Sequence, residues 1–71
     1  MNVAYPNLYQ MLVQRKIAYS EIANLLGICE NVVTDKMQGV LPWLLSEALV
    51  ICAYLKFSDV KFLFLQLDIN S

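Results

Sequence analysis

Residues 20–39 constrain the fold more than any other stretch of this 71-residue chain. Their pattern predicts two short helices joined at Gly27, which has the backbone freedom to end a helix in the left-handed conformation. The first of these helices is apolar at Ile22 and Leu26. Its small Ala23 would let a partner helix approach closely. The stretch therefore predicts two helices packed against each other around a tight turn.

The second of these helices has a polar face along its whole length. Val33 and Met37 are expected to point inward. The opposite face carries polar residues at the i, i+3, i+4 and i+7 spacing, namely Asn31, Thr34, Asp35 and Gln38. Two short helices, a glycine turn and an outward polar stripe are the outline of a helix-turn-helix. We therefore expect function to lie on this stripe.

The hydrophobic content predicts a partner. A chain this short forms one domain and buries only about 60% of its unfolded surface. Yet 59% of its residues are hydrophobic, against roughly 45–50% in soluble domains generally. A small core cannot absorb that excess, so we expect a partner, most simply a second copy of the chain, to cover part of the apolar surface.

Several classes of chemistry lack the residues they need. The chain has no histidine and two widely separated cysteines, Cys29 and Cys52, which excludes Cys/His zinc sites and histidine acid–base catalysis. Its carboxylates are scattered along the chain, and none forms a credible nucleophile–base pair with a serine or cysteine. We therefore expect no enzyme activity, no metal, no cofactor and no small-molecule substrate.

The same sequence predicts no membrane segment. The longest apolar run, residues 48–55, is shorter than the ~18 residues that a spanning helix needs. No basic region precedes an apolar stretch at the N-terminus, so secretion is not signalled. We expect a cytoplasmic protein.

Three further helices complete the expected architecture. The first runs from about residue 6 to 16, and Pro6 suits its first turn. The fourth runs from about 45 to 56, and the fifth follows Ser58 as its cap. Five short helices with brief connections predict an all-α domain.

The single domain spans residues 1–71, with a core in roughly 7–65 and a tail at 66–71.

Burial and capping can be predicted for individual residues. Ser20 is expected to cap the second helix, and Cys29 to stand at the start of the third in place of a serine or threonine. The fourth helix is expected to turn five residues inward: Leu45, Ala48, Ile51, Cys52 and Leu55. Cys52 would then be a buried, inert thiol.

With these elements in order, the chain resembles the Cro/repressor-type (XRE-like) helix-turn-helix family, particularly its small phage and prophage members. Ala23, Gly27 and Val33 stand at the spacing of that family's small residue, turn glycine and buried β-branched residue. Residues 33–39 resemble the end of its recognition helix, and residues 43–55 its aromatic-led fourth helix. The resemblance implies a compact five-helix lambda-repressor-like domain.

The same resemblance implies a sequence-specific, DNA-binding transcriptional regulator. Residues 30–38 would be the recognition helix, lying in a major groove of double-stranded DNA. DNA-contacting roles then fall on Ser20, Cys29, Glu30, Asn31, Thr34, Asp35, Lys36 and Gln38. Asparagine and glutamine amides suit adenine edges, and carboxylates accept from the cytosine amino group. Lys36 is a candidate phosphate contact, together with Arg15 and Lys16.

The regulator is expected to be a homodimer on a palindromic operator. A twofold dimer would place its recognition helices about one DNA turn apart. Because successive helical positions diverge by 100°, the apolar residues of the last two helices cannot all face one core. We expect the dimer interface to contain Val50, Tyr54, Phe62 and Leu65. Leu67 and Ile69 would form an arm across the partner.

A second interpretation uses the same scaffold for protein–protein interaction. The net charge is −1 and the pI is near 5.0, opposite to the basic patch typical of DNA-binding domains. Glu30, Val40 and Leu41 stand where the family commonly has cations. These features favour an antirepressor or a dimerising adaptor with little DNA affinity.

Overall fold

The fold consists of five α-helices in a computed structural model that describes residues 3–66. The helices are α1 (Pro6–Gln14), α2 (Tyr19–Leu26), α3 (Glu30–Met37), α4 (Leu45–Leu55) and α5 (Val60–Leu63). No strand occurs in this part of the chain, so the all-α prediction is confirmed. Among residues 3–66, no helix has both the length and the apolar character needed to cross a bilayer.

One core joins all five helices. Its largest fully buried side chains are Leu8, Ile22, Val33, Met37, Ile51, Leu55 and Leu63, and each helix supplies at least one of them. The radius of gyration is 11.3 Å. Helices of 4 to 11 residues are too short to be stable in isolation. Their stability therefore depends on packing against this shared core.

The predicted turn between α2 and α3 is confirmed. Gly27 ends α2 with φ +71°, and its N–H donates to the carbonyl of Ala23. A Cβ atom at Gly27 would meet nothing within 4 Å. Glycine is therefore favoured here by the left-handed backbone and not by lack of space.

Most inward positions of α4 are confirmed, and one is wrong. Ala48, Ile51, Cys52 and Leu55 are buried, but Leu45 is 71% exposed. Leu45 is the first residue of α4 and does not belong to the core cluster.

Two predicted helix caps are also wrong. Ala18 is the N-cap of α2, so Ser20 lies inside the first turn of that helix. Asp59, not Ser58, caps α5, and its carboxylate accepts the Phe62 backbone N–H at 3.0 Å. A carboxylate at a helix N-terminus forms a charge-assisted hydrogen bond that a hydroxyl does not.

Two helices end slightly earlier than predicted, each near a lysine with left-handed backbone. Lys16 follows α1 with φ +58°, and Lys56 caps α4 with φ +56°. The guanidinium of Arg15 donates a hydrogen bond to the carbonyl of Leu55. The C-terminal ends of α1 and α4 are therefore tied together by a cation, which also suits the negative end of a helix dipole.

Candidate nucleic-acid interface

The outward face of α3 is the candidate interface. Val33 and Met37 are buried against the core with 0% and 1% exposure. At 100° per residue, the predicted polar stripe of Asn31, Thr34, Asp35 and Gln38 spans about 100° on the other side of the helix. Packing of the apolar side thus fixes which side chains α3 presents outward.

The residues of the polar stripe differ in solvent exposure. Asn31 and Gln38 are exposed, as is Glu30 at the start of the helix, whereas Thr34 and Asp35 are half-buried. The Thr34 hydroxyl donates to the carbonyl of Glu30 at 3.2 Å, so its proton is already used within the helix. The two amides are therefore the most accessible hydrogen-bonding groups of the stripe.

Lys36 requires a correction, because it does not lie on the outward face. It is 7% exposed, and its Nζ lies 2.8 Å from Glu47 Oε1 and 2.9 Å from the carbonyl oxygen of Pro42. The same Nζ lies 5.6 Å from the centre of the Trp43 ring, within cation–π range. Lys36 therefore links α3 to the start of α4, and its ammonium is not available to a phosphate.

Glu47 is the other half of this link. Besides Lys36, its Oε1 accepts the backbone N–H of Leu44 at 3.0 Å, at the N-terminus of α4. Burial alone raises the pKa of the Glu47 carboxyl, but the two hydrogen bonds and the charge of Lys36 together outweigh it. The pKa of Glu47 therefore lies below its ordinary value.

Stability is expected to fall in acid because of this carboxyl. A pKa that is lower in the folded than in the unfolded chain gives stabilisation that is complete above the unfolded pKa, near 4.5. That stabilisation is lost as the pH falls through the lower, folded pKa. Urea unfolding from about pH 6 to about pH 3 should show the decline, and Glu47→Gln should make it shallower. An equal decline in the variant would contradict this assignment.

Three of the four exposed cations of residues 3–66 lie at the ends of α1 and α4, and the fourth, Lys61, lies on α5. Arg15, Lys16 and Lys56 are exposed and come together there through the hydrogen bond from Arg15 to Leu55. Sequence reasoning selected Arg15 and Lys16 but missed Lys56. Only the fold brings Arg15 into contact with Leu55, 40 residues away and next to Lys56. None of these three cations belongs to α3.

The two residues expected near the helix entrances are both exposed. Ser20 lies in the first turn of α2. Cys29 occupies the N-cap position of α3, as expected, but its side chain makes no capping hydrogen bond. The second cysteine, Cys52, is buried, and burial, with a smaller contribution from Asp59, raises the pKa of its thiol. The predicted burial of Cys52 is confirmed, and a raised thiol pKa disfavours the reactive thiolate.

The four residues expected in a dimer interface are all exposed: Val50, Tyr54, Phe62 and Leu65, at 41–59%. Tyr54 also donates its hydroxyl to the Glu21 carboxylate, which raises the pKa of Tyr54. The Phe62 ring lies 6.1 Å from that of Phe57. The arm predicted at Leu67 and Ile69 lies outside the described residues.

Comparison of the chain with protein-family models, with curated proteins and with solved structures gives no match. The resemblance to Cro/repressor-type proteins therefore stays a prediction from the sequence. What can be argued about function comes from the geometry of α2, α3 and their surroundings.

Proposed function

We propose that the chain is a sequence-specific DNA-binding regulator that reads base edges with α3. The observation that carries this proposal is the outward presentation of Asn31 and Gln38 on a helix that a glycine turn holds against α2. A short helix with one buried and one exposed polar side, preceded by such a turn, has the shape that enters a major groove.

The residues of the stripe favour particular bases. The Asn31 and Gln38 amides can each donate to N7 and accept from the N6 amino group of adenine in the bidentate manner. The carboxylates of Glu30 and Asp35 accept from the N4 amino group of cytosine. With two acidic residues and two amides, α3 would favour adenine and cytosine over guanine, whose major-groove edge offers only acceptors.

Non-specific affinity would be low in this arrangement. Lys36 is paired with Glu47, so the phosphate contacts fall to Arg15 and Lys16 at the end of α1. Each neutralised phosphate contributes about −0.9 to the slope of log K against log salt concentration. We therefore expect a shallow salt dependence of about −2 per protomer, with most discrimination coming from the base contacts. A twofold pair would read a palindromic operator.

Asparagine substitutions on two different helices test the role of α3. Asn31→Ala should weaken binding to a selected duplex by about 10- to 100-fold, because a bidentate base contact is lost. Asn24 is exposed on α2, and Asn24→Ala serves as the matched control that should bind within about twofold of the parent chain. Fluorescence anisotropy of a labelled duplex measures both. Equal losses in the two variants would contradict a reading role for Asn31.

A protein-interaction module is the second candidate function, and one observation favours it. Val40 and Leu41, which follow α3 directly, are 65% and 38% exposed. An apolar surface beside an acidic helix suits another protein better than it suits phosphates. This candidate predicts that no duplex is retained even at low salt.

A further inference from the structure

Half of the ten exposed large apolar side chains of the described residues lie in a short stretch around the start of α4. Within residues 40–49, five large apolar side chains are 38–71% exposed: Val40, Leu41, Leu44, Leu45 and Leu49. Leu45 and Leu49 are one helical turn apart and so share one side of α4. We name this surface, Val40 to Leu49 with its five exposed side chains, the leucine flank.

A groove adjoins the leucine flank. It has a volume of about 320 Å³, and its lining includes Leu44 and Leu45 of the flank. The rest of the lining is mostly apolar, with two polar members: Tyr5, Trp43, Ala48, Val60, Phe64, Lys61 and Gln66. The Trp43 and Phe64 rings meet edge to face at 5.6 Å, and they give the groove an aromatic wall. The flank thus carries both a projecting leucine and an apolar recess beside it.

A projection and a recess on one surface are what a twofold dimer uses. In such a dimer each chain contributes the same patch, so a projection on one copy meets the recess of the other in both directions. Leu45, the most exposed of the five side chains at 71%, is the residue placed to enter the groove of a second copy.

The charges of the flank favour a second copy over a charged partner. The only charged residue in 40–49 is Glu47, and its carboxylate is already paired with Lys36 of the same chain at 2.8 Å. Two such surfaces meet without like-charge repulsion, which a twofold contact between unpaired charges would create. Lys61, at the edge of the groove, is exposed and can keep its ammonium in water.

We infer that the leucine flank is the homodimer interface of this protein, with Leu45 of each copy seated in the groove of the other. A standard interface takes about 800 Å² from each partner, which is about one sixth of the 4807 Å² surface of this chain. The five exposed side chains of the flank and the groove beside Leu44 and Leu45 would supply apolar area to such a contact. This inference does not depend on DNA binding.

The inferred interface differs from the one expected at Val50 and Tyr54. At 100° per residue, Leu45 and Leu49 lie within about 40° of each other on α4, and so do Val50 and Tyr54. The two pairs are about 100° or more apart around the helix, on either side of the buried face. Tyr54 is already hydrogen-bonded to Glu21 of α2. One twofold contact therefore cannot centre on both pairs.

Adjacent substitutions on α4 separate the two surfaces. Leu49 and Val50 are 51% and 41% exposed, so either glutamate variant should fold, which circular dichroism verifies. Sedimentation equilibrium of the parent chain should show a monomer–dimer equilibrium. Leu49→Glu should raise the dimer dissociation constant by at least about 100-fold, because each copy brings an unpaired charge into the contact. Val50→Glu should change it by less than about threefold.

Two results would overturn the inference. One is a parent chain that stays monomeric at millimolar concentration. The other is dissociation by Val50→Glu with the dimer of Leu49→Glu intact, which would place the contact on the opposite side of α4. A second variant, Leu45→Ala, removes the projection without adding charge, and it should weaken the dimer by at least about tenfold.

Discussion

Glu47→Ala is expected to lower the free energy of unfolding by about 3 kcal/mol, because it leaves the ammonium of Lys36 buried without its partner. Lys36 is 7% exposed, and after the substitution only the carbonyl of Pro42 would accept from it. The substitution also removes the acceptor for the Leu44 N–H at the start of α4. A loss of this size is a large part of the stability of a 71-residue domain.

A second substitution separates the two causes of this loss, the unpaired charge of Lys36 and the missing acceptor for the Leu44 N–H. Replacing Lys36 by methionine in the Glu47→Ala chain removes the unpaired charge but keeps an apolar side chain of similar length. The double variant Lys36→Met/Glu47→Ala should regain about half of the lost stability. Urea unfolding followed by circular dichroism measures each variant. A double variant no more stable than Glu47→Ala would contradict the assignment of the loss to a buried charge.

Leu63→Ala is expected to lower the free energy of unfolding by about 3 kcal/mol. Leu63 is 0% exposed and lies in α5, a helix of four residues that packs on both α1 and α4. So short a helix has no stability of its own, so its position depends on this side chain. The cavity left by the truncation cannot be filled by its exposed neighbours.

The neighbouring residue Lys61 gives the control for this prediction. Lys61 is exposed on the same helix, and Lys61→Ala should change the free energy of unfolding by less than about 0.5 kcal/mol. Thermal and urea unfolding of both variants measure the difference. Similar stability in the two variants would show that α5 is not held by Leu63.

Local signals were sufficient to predict α2, α3 and the glycine turn between them. Gly27 needed only its own conformational freedom and its place after Leu26 to be identified as the end of a helix, and it has φ +71°. The spacing of Val33 and Met37 likewise fixed the buried side of α3. A residue's structural role can be predicted from the sequence when it depends only on residues nearby in the chain.

The role of Lys36 depends on distant residues and could not be predicted in this way. On a helical wheel Lys36 falls on the Val33 side of α3, but whether a lysine there is solvated or paired depends on Glu47, eleven positions away. Leu45 shows the opposite case, since its helical position matches the buried side of α4 but its side chain is 71% exposed. The exposed leucine flank could not be foreseen for the same reason.

The charge distribution of the interface follows from these placements. With Lys36 internal, α3 carries two acidic residues, Glu30 at its start and Asp35 on the polar stripe, and no exposed cation. A DNA-binding protein built in this way relies on base contacts for affinity more than one with a basic surface would. The proposal therefore makes a stringent prediction about sequence specificity.

Selection of bound sequences from a random duplex library tests this proposal most directly. The proposal predicts that the chain enriches a palindrome with adenine and cytosine at the contacted positions, and that Asn31→Ala no longer enriches it while Asn24→Ala still does. If the folded chain retains no duplex at low salt, α3 does not read DNA, and the regulator interpretation is contradicted.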